Sequence, residues 1–258
     1  MTCSSTAHRG GTAPGSLRKS WFFALARRYV RYKFARGFDG VHVEGLQEAR
    51  ALMAREPVIV AATHVAWWDA LFAIQMAALL GGESYCLMDA ANLRRLPFFG
   101  WVGAVPLDRS SPKRALKDMK AAATLLDRPG RVVWIFPQGR QRPAHLRPLE
   151  LQPGVRWLTK VSGARVLPMS LSYAFRQAPE PAVLASFGAP ISADVSDLLP
   201  QLEERLVGGL SRIDRYVDVG EGAFDEVVTG RNRNPDGPRV GRLLSWLGRG
   251  EPHPKTTP

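Results

Sequence analysis

The stretch that decides the fold is PVIVAATHVAWWD, residues 57–69. Its run from Val58 to Ala62 is too short and too rich in β-branched residues for a helix, and therefore predicts a strand buried on both faces. Apolar residues then recur at helical spacing from Trp67 to Leu80, which predicts a helix. His64 thus lies at the carboxyl end of a strand and Asp69 in the first turns of a helix. Open α/β sheets place their chemistry at that edge.

The spacing of His64 and Asp69 allows the carboxylate to hold one imidazole nitrogen. Such a contact fixes the tautomer and stabilises the imidazolium, while the other nitrogen accepts a proton from a hydroxyl. No serine or cysteine lies within the motif to act as a nucleophile. The hydroxyl could therefore belong to the substrate, which predicts transfer to an alcohol rather than hydrolysis. The alternative is a helix-capping histidine beside an unrelated surface aspartate.

The positive charge lies at the two ends of the chain. The net charge is +12, from 35 basic and 23 acidic side chains among 258 residues. Residues 1–36 and 227–258 carry all of this excess, so residues 37–226 are neutral overall. A nucleic-acid enzyme more often spreads basic side chains along a groove in its core. Basic ends flanking a neutral domain favour an anionic membrane surface as partner, and no nucleic acid.

The composition of the sequence divides the chain into four segments. Residues 1–16 are rich in Gly, Ser, Thr and Pro, which predicts a disordered tail. Residues 17–36 predict a basic amphipathic helix, 37–226 a single domain, and 227–258 a poorly ordered basic tail. The chain start lacks the apolar core of a signal peptide. The longest apolar run, 66–80, is shorter than the ~20 residues that a spanning helix needs.

The helix predicted at 17–36 carries aromatic residues on one side and arginines on the other. At 100° per residue Trp21, Leu25 and Tyr29 share an arc, and Arg27 and Arg31 lie opposite. This pattern is typical of a helix that lies in the headgroup layer of a membrane. The alternative is a helix packed on the core of its own domain, and both interpretations can hold together.

The two cysteines, Cys3 and Cys86, provide neither a disulfide framework nor the spacing of a metal site. A reducing compartment is expected, without a metal.

Further strands and helices alternate along the chain. Strands are predicted at 41–43, 84–88, 105–109, 131–136, 166–173 and, as the last one, 183–187. Helices are predicted at 46–55, 110–127, 154–162 and 192–216. Pro168 inside its strand indicates an edge position or a bulge, and His42 is expected to face solvent. The alternation predicts an α/β fold: one layered domain with a mixed, largely parallel sheet flanked by helices.

Four short blocks lie where a site could be built: THVAWWD at 63–69, VPLDR at 105–109, FPQGRQR at 136–142 and VLPMSL at 166–171. In order and spacing they resemble the glycerolipid acyltransferase family of the lysophosphatidic acid acyltransferase type. The corresponding family patterns are NHxSxxD, (I/V)DR, FPEGTRS and VPV. The resemblance spans about residues 41–190.

This resemblance implies roles for individual residues. His64 would be the general base on the acceptor hydroxyl and Asp69 its orienting partner. The turn at Gly139 could supply N–H groups to the oxyanion, and Arg109 would bind the acceptor's phosphate. The acyl donor would be a thioester, acyl-CoA or acyl carrier protein, with no cofactor. The implied protein is a membrane-associated O-acyltransferase, peripheral on the cytoplasmic face of the inner or plasma membrane, with a lysophospholipid or another lipid alcohol as acceptor.

The sequence departs from the family pattern in two blocks. In the first, Thr63 replaces an asparagine and Ala66 a serine. The departures in the block at 136–142 concern the acceptor. Gln138 replaces a glutamate, Arg140 a threonine and Gln141 an arginine, with Arg142 one place later. A glutamine keeps the size and hydrogen-bonding capacity of glutamate without its charge. Acceptor binding is therefore expected from Arg109, Gln138, Gly139, Arg140 and Arg142, but the acceptor could also lack a phosphate, as in a glycolipid or a carotenoid glycoside. A non-catalytic lipid-surface protein is the alternative of a different class.

Two adjacent tryptophans, Trp67 and Trp68, lie between the two catalytic candidates. Neighbouring helical positions point about 100° apart, so both side chains cannot face one pocket. One is expected to pack in the core and the other to line an acyl channel. The sequence does not decide between them.

Overall fold

Strand β2 (Val58–Ala62) lies inside an eight-stranded sheet, as its buried apolar run predicts. The computed structural model describes residues 18–231. All five side chains of β2 are buried, because helices cover both faces of the sheet. On either side β2 pairs in parallel with β5 (Arg131–Ile135) and β6 (Arg165–Ala174).

The remaining strands complete a mixed sheet. They are β1 (Gly40–Glu44), β3 (Glu83–Asp89), β4 (Ala104–Leu107), β7 (Ala182–Phe187) and β8 (Phe224–Thr229). Their order is β4-β3-β5-β2-β6-β7-β1-β8. The pairs β6–β7 and β1–β8 are antiparallel, and the other pairs are parallel. The predicted α/β fold with a mixed, largely parallel sheet is confirmed.

Helices cover both faces of this sheet. They are α1 (Ser20–Gly37), α2 (Leu46–Arg55), α3 (Asp69–Leu80), α4 (Ala90–Arg95), α5 (Pro112–Ala123), α6 (Gly154–Ser162) and α7 (Leu198–Val219), with a 3-10 helix at Pro97–Val102. The first three helices share one apolar core with the sheet, and α5 to α7 share a second core on the opposite face. Local chemistry explains where α5 begins. The Ser111 side chain caps this helix by accepting a hydrogen bond from the Arg114 N–H, and Pro112 lies in its first turn.

Helix α1 both packs on the domain and exposes apolar side chains. Val30 and Phe34 are buried against α3, whereas Trp21, Leu25 and Tyr29 are each more than half exposed. Both interpretations of this helix are therefore compatible with its position. Within residues 18–231, no helix combines the length and the hydropathy needed to cross a bilayer.

Strand β8 was not predicted. It follows α7 and pairs antiparallel with β1, so the strand at 183–187 is not the last one. β8 also crosses the predicted boundary between 226 and 227, because Val227 to Thr229 belong to this strand. The strand is half exposed and carries two acidic residues, so it lacks the apolar run that marks a buried strand. The tail at 1–16 and the part of the C-terminal tail beyond 231 lie outside the described residues.

The expectation that His42 faces solvent is wrong. Its side chain is buried in β1, which pairs with β7 on one side and β8 on the other. The Tyr216 ring of α7 lies 5.8 Å from the imidazole, between ring centroids. The unpredicted strand and α7 together account for this burial.

Pro168 lies in an interior strand rather than at an edge. β6 pairs with β2 on one side and β7 on the other. The pairing of β6 with β7 is irregular at Pro168, which lies between the Met169–Phe187 pair and the isolated Val166–Ile191 bridge. There the Pro168 C=O accepts a hydrogen bond from the Gly188 N–H. The missing N–H of proline is tolerated there, so the irregularity and not an edge position explains this residue.

Candidate active site

Loops from four parallel strands meet at one edge of the sheet. His64 follows β2, Arg109 follows β4 and Gln138 follows β5, while Asp89 ends β3. All four residues line one cleft. Because the carboxyl ends of parallel strands lie at the same sheet edge, four separated sequence segments build a single site.

The side chains of His64 and Asp69 are in direct contact. The distance from the His64 Nδ1 to the Asp69 Oδ2 is 2.7 Å, so the predicted hydrogen bond is present. Asp69 is the first residue of α3 and its side chain is fully buried. A buried carboxylate accepts hydrogen bonds, which assigns the hydrogen of the neutral ring to Nδ1 and leaves Nε2 as acceptor.

Backbone groups also hold the Asp69 carboxylate. Its Oδ2 accepts the N–H groups of Val65 at 2.6 Å and Ala66 at 3.0 Å. The carboxylate thus closes the turn that enters α3, where the helix dipole also favours a negative charge. Ala66 contributes through its backbone, so the serine of the family pattern is not needed for this turn.

Tyr173 is a site residue that the sequence did not reveal. Its hydroxyl donates to the Asp69 Oδ1 at 2.8 Å. Burial and the charge of Asp69 raise the pKa of Tyr173, so the hydroxyl stays protonated and donates. A signal was present, since Tyr173 lies near the carboxyl end of a strand parallel to β2, at the edge where His64 lies.

The loop after β5 clamps His64 through its backbone. The Gln138 Oε1 accepts the His64 N–H at 2.6 Å, and the Arg142 N–H donates to the His64 C=O at 2.8 Å. The imidazole also packs on the Phe136 ring, with centroids 4.6 Å apart. The amide oxygen of Gln138 makes this contact without the charge of the family's glutamate. Sequence reasoning assigned Gln138 to the acceptor, whereas the structure shows it supporting His64.

Thr63, which replaces the asparagine of the family pattern, is buried beside the site. Its Oγ1 accepts the Leu171 N–H at 2.7 Å and lies 3.2 Å from the Leu171 C=O, to which it donates. Thr63 therefore joins the end of β2 to β6 and does not face the cleft.

The three arginines expected to bind the acceptor differ in position. Arg109 and Arg140 line the cleft and are more than half exposed. Arg142 is buried, pairs with Glu150 and is not among the residues that line the cleft. Hydrogen bonds from Arg140 and Arg142 lower the pKa of Glu150, so this carboxylate stays charged. The position of Arg142 indicates a support of the loop and does not favour its predicted contact with an acceptor.

The Gly139 N–H is not free for an oxyanion. It donates to the Phe136 C=O at 3.0 Å, inside the turn whose positive φ of 68° suits glycine. The Gly139 C=O accepts a hydrogen bond from Arg109 at 2.8 Å. Both backbone groups of Gly139 itself are therefore engaged. That another N–H group of this turn serves the oxyanion stays a prediction.

The cleft has a volume of about 1200 Å³ and a long apolar wall. The wall runs along α3 and β3 and continues to the 3-10 helix. Its members include Ala70, Ile74, Ala77, Cys86, Met88, Phe99 and Val102. Desolvation raises the pKa of the Cys86 thiol to about 12, so this cysteine is a neutral wall residue and no nucleophile.

The side chains of Trp67 and Trp68 face different surroundings, as expected for neighbouring positions at the start of a helix. Trp67 lines the cleft and is 65% exposed. The Trp68 ring packs in the core, with centroid distances of 5.8 Å to Phe34 and 5.1 Å to Phe38. Trp67 is therefore the member of the pair that can contact an acyl chain.

Known proteins share this architecture. A family model described as Acyltransferase matches residues 40–172. The crystal structure of the 1-acyl-sn-glycerophosphate (LPA) acyltransferase PlsC from Thermotoga maritima is similar in fold, with a TM-score of 0.53 and 18% sequence identity. The match covers 75% of this chain and 78% of that one. Among curated proteins, the comparison finds no match.

Proposed function

The chain belongs to the acyltransferase family, and from this premise we propose that it is a membrane-associated O-acyltransferase that acylates a lipid alcohol. The donor in this proposal is a thioester, acyl-CoA or acyl carrier protein. The observation that carries it is the imidazole of His64, which a buried carboxylate holds at the edge of a large cleft with an apolar wall.

The reaction needs one proton acceptor and no cofactor. The His64 Nε2 takes the proton of the acceptor hydroxyl while the hydroxyl oxygen attacks the thioester carbonyl carbon. Asp69 stabilises the imidazolium that forms. The tetrahedral intermediate then collapses, the carbon–sulfur bond breaks, and the imidazolium returns its proton to the departing thiolate. The products are an ester and a free thiol.

The acceptor we propose is a lysophospholipid, because two cleft arginines can meet its phosphate. Arg109 is 53% exposed at the side chain and Arg140 67%. Arg109 donates to the Gly139 C=O at 2.8 Å and lies 3.5 Å from Asp89. Arg140 pairs with Glu150 at 2.7 Å. These contacts use part of each guanidinium, and the remaining N–H groups can bind a ligand. A guanidinium binds phosphate oxygens through paired hydrogen bonds.

We expect Arg109→Ala to raise the KM for a lysophospholipid about tenfold or more, the cost of losing a hydrogen bond to a charged group. The KM for a lipid alcohol without phosphate should change little. Initial rates with the two acceptors at a fixed thioester concentration measure this difference.

Arg114→Ala is the matched control, since Arg114 pairs with Asp108 and is not among the cleft residues. If Arg109→Ala raises the KM for both acceptors equally, Arg109 does not bind the phosphate. That result would favour the glycolipid alternative.

The proposed membrane contact is the exposed side of α1. Trp21 and Leu25 expose apolar surface, and Arg27, Arg28 and Arg31 of the same helix are exposed cations. An interfacial helix uses apolar residues for the acyl boundary and cations for anionic headgroups. We further propose peripheral association with the cytoplasmic face of the inner or plasma membrane.

The double variant Trp21→Gln/Leu25→Gln should bind anionic vesicles at least about tenfold more weakly, because two apolar side chains no longer leave water. Cosedimentation with vesicles measures the change. Val219→Gln serves as control, since Val219 is a similarly exposed apolar residue at the end of α7 on the other sheet face. Undiminished vesicle binding by the double variant would refute this contact surface.

A further inference from the structure

Tyr173 lies next to the catalytic pair, one residue beyond the stretch that the family model matches. We propose that Tyr173 is a positioning residue of acyl transfer, which holds Asp69 through its second carboxylate oxygen and so controls how His64 binds a proton. This inference rests on the proposed function and adds a residue to it.

The hydrogen bonds to Asp69 are distributed unequally between its two oxygens. Oδ2 accepts from His64 and from the N–H groups of Val65 and Ala66. Within residues 18–231, Oδ1 accepts from the Tyr173 hydroxyl alone. Because the carboxylate is fully buried, loss of that hydroxyl would leave a charged oxygen without a protein donor, which is costly.

The position of the hydroxyl is set from two directions. Tyr173 belongs to β6, where its backbone pairs with Val183 of β7. Its ring lies 5.8 Å from the Phe38 ring, which in turn packs edge-on against Trp68. The ring is therefore held by apolar contacts that do not depend on the hydroxyl, and Tyr173→Phe removes the hydrogen bond while keeping the packing.

The hydroxyl acts as a donor and not as an acid or base. Burial and the neighbouring Asp69 charge raise the pKa of Tyr173, so it does not release its proton during turnover. The titratable side chains in contact with the carboxylate are His64 and Tyr173. Gln138, which contacts the His64 backbone, carries no charge.

The direction of the effect follows from this arrangement. A hydrogen bond from Tyr173 draws negative charge away from the side of the carboxylate that faces His64. Without it, the carboxylate attracts the imidazole proton more strongly. Asp69 also loses one of the contacts that fix its orientation, so it holds the imidazole of His64 less firmly.

The test is Tyr173→Phe in the full chain, assayed with a saturating acyl thioester and a lysophospholipid. We expect kcat to fall about tenfold, the cost of one hydrogen bond to a charged group. The acid limb of the rate profile should shift from its native position, because the carboxylate that contacts His64 has lost a hydrogen bond. The KM for the thioester should stay within twofold, and the downfield NMR resonance of the His64 Nδ1–H should shift.

Tyr216→Phe is the matched control, because its hydroxyl contacts Arg176 and His42 and lies away from Asp69. Its acid limb and its Nδ1–H resonance should match those of the native protein. A melting temperature for each variant separates lost folding from lost positioning.

The inference is overturned if Tyr173→Phe retains native kcat, an unshifted acid limb and an unshifted resonance. That result, together with loss of transfer in His64→Ala, would leave the proposed function intact and remove only the role of Tyr173. If His64→Ala keeps its activity, the proposed function itself fails.

Discussion

His64→Ala is expected to lower kcat for acyl transfer about a thousandfold, within the range for loss of a general base. The alanine has no group that can accept the proton of the attacking hydroxyl. The backbone clamp does not depend on the imidazole, because Gln138 and Arg142 bind the N–H and C=O of residue 64. The fold should therefore survive, and the melting temperature should change little.

His145→Ala is the control for this variant. His145 is exposed on the loop after β5 and is not among the residues that line the cleft. Its removal should leave kcat within twofold of the native value. Near-native turnover by His64→Ala would exclude this imidazole as the base and favour the non-catalytic alternative.

Asp69→Asn should lower kcat about a hundredfold or more, because a neutral amide stabilises the imidazolium much less than a carboxylate does. Asparagine keeps the size but has one acceptor oxygen in place of two. That oxygen cannot serve both the Oδ2 contacts to His64, Val65 and Ala66 and the Oδ1 contact to Tyr173. Reaction rates across pH measure the loss.

The loss in Asp69→Asn should lie in kcat, with the KM for the thioester nearly unchanged, because Asp69 is buried and touches no part of the cleft surface. Asp118→Asn is a suitable control. Asp118 lies on α5, and its carboxylate accepts a hydrogen bond from the Asp108 N–H. A change confined to KM in Asp69→Asn would contradict an orienting role.

The sequence predicts the catalytic edge well because local patterns determine it. The β-branched run at 58–62 forms a strand in any buried sheet, and the helical spacing after Trp67 places Asp69 at a helix start. His64 and Asp69 are five residues apart, so the short turn between β2 and α3 is enough to bring their side chains into contact. For the same reason the bounds of α2 and α6 agree with the predicted ranges.

Long-range contacts could not be predicted. Tyr173 is 104 residues from Asp69, and only the pairing of β6 with β2 brings its hydroxyl to the site. Arg142 was expected in the cleft, but Glu150 holds its guanidinium in the loop. His42 was expected at the surface because β8, which covers its strand, has too polar a sequence to be recognised. Each error concerns a partner that is distant in sequence or weakly patterned.

The central claim is that His64 makes a lipid alcohol reactive toward a thioester. Its most direct measurement is the release of free thiol from an acyl thioester by the native protein, with and without a lysophospholipid, alongside mass analysis of the lipid. We predict that thiol release requires the lipid and equals the amount of ester formed. Thiol release at the same rate without lipid, with free fatty acid as product, would contradict transfer and indicate hydrolysis.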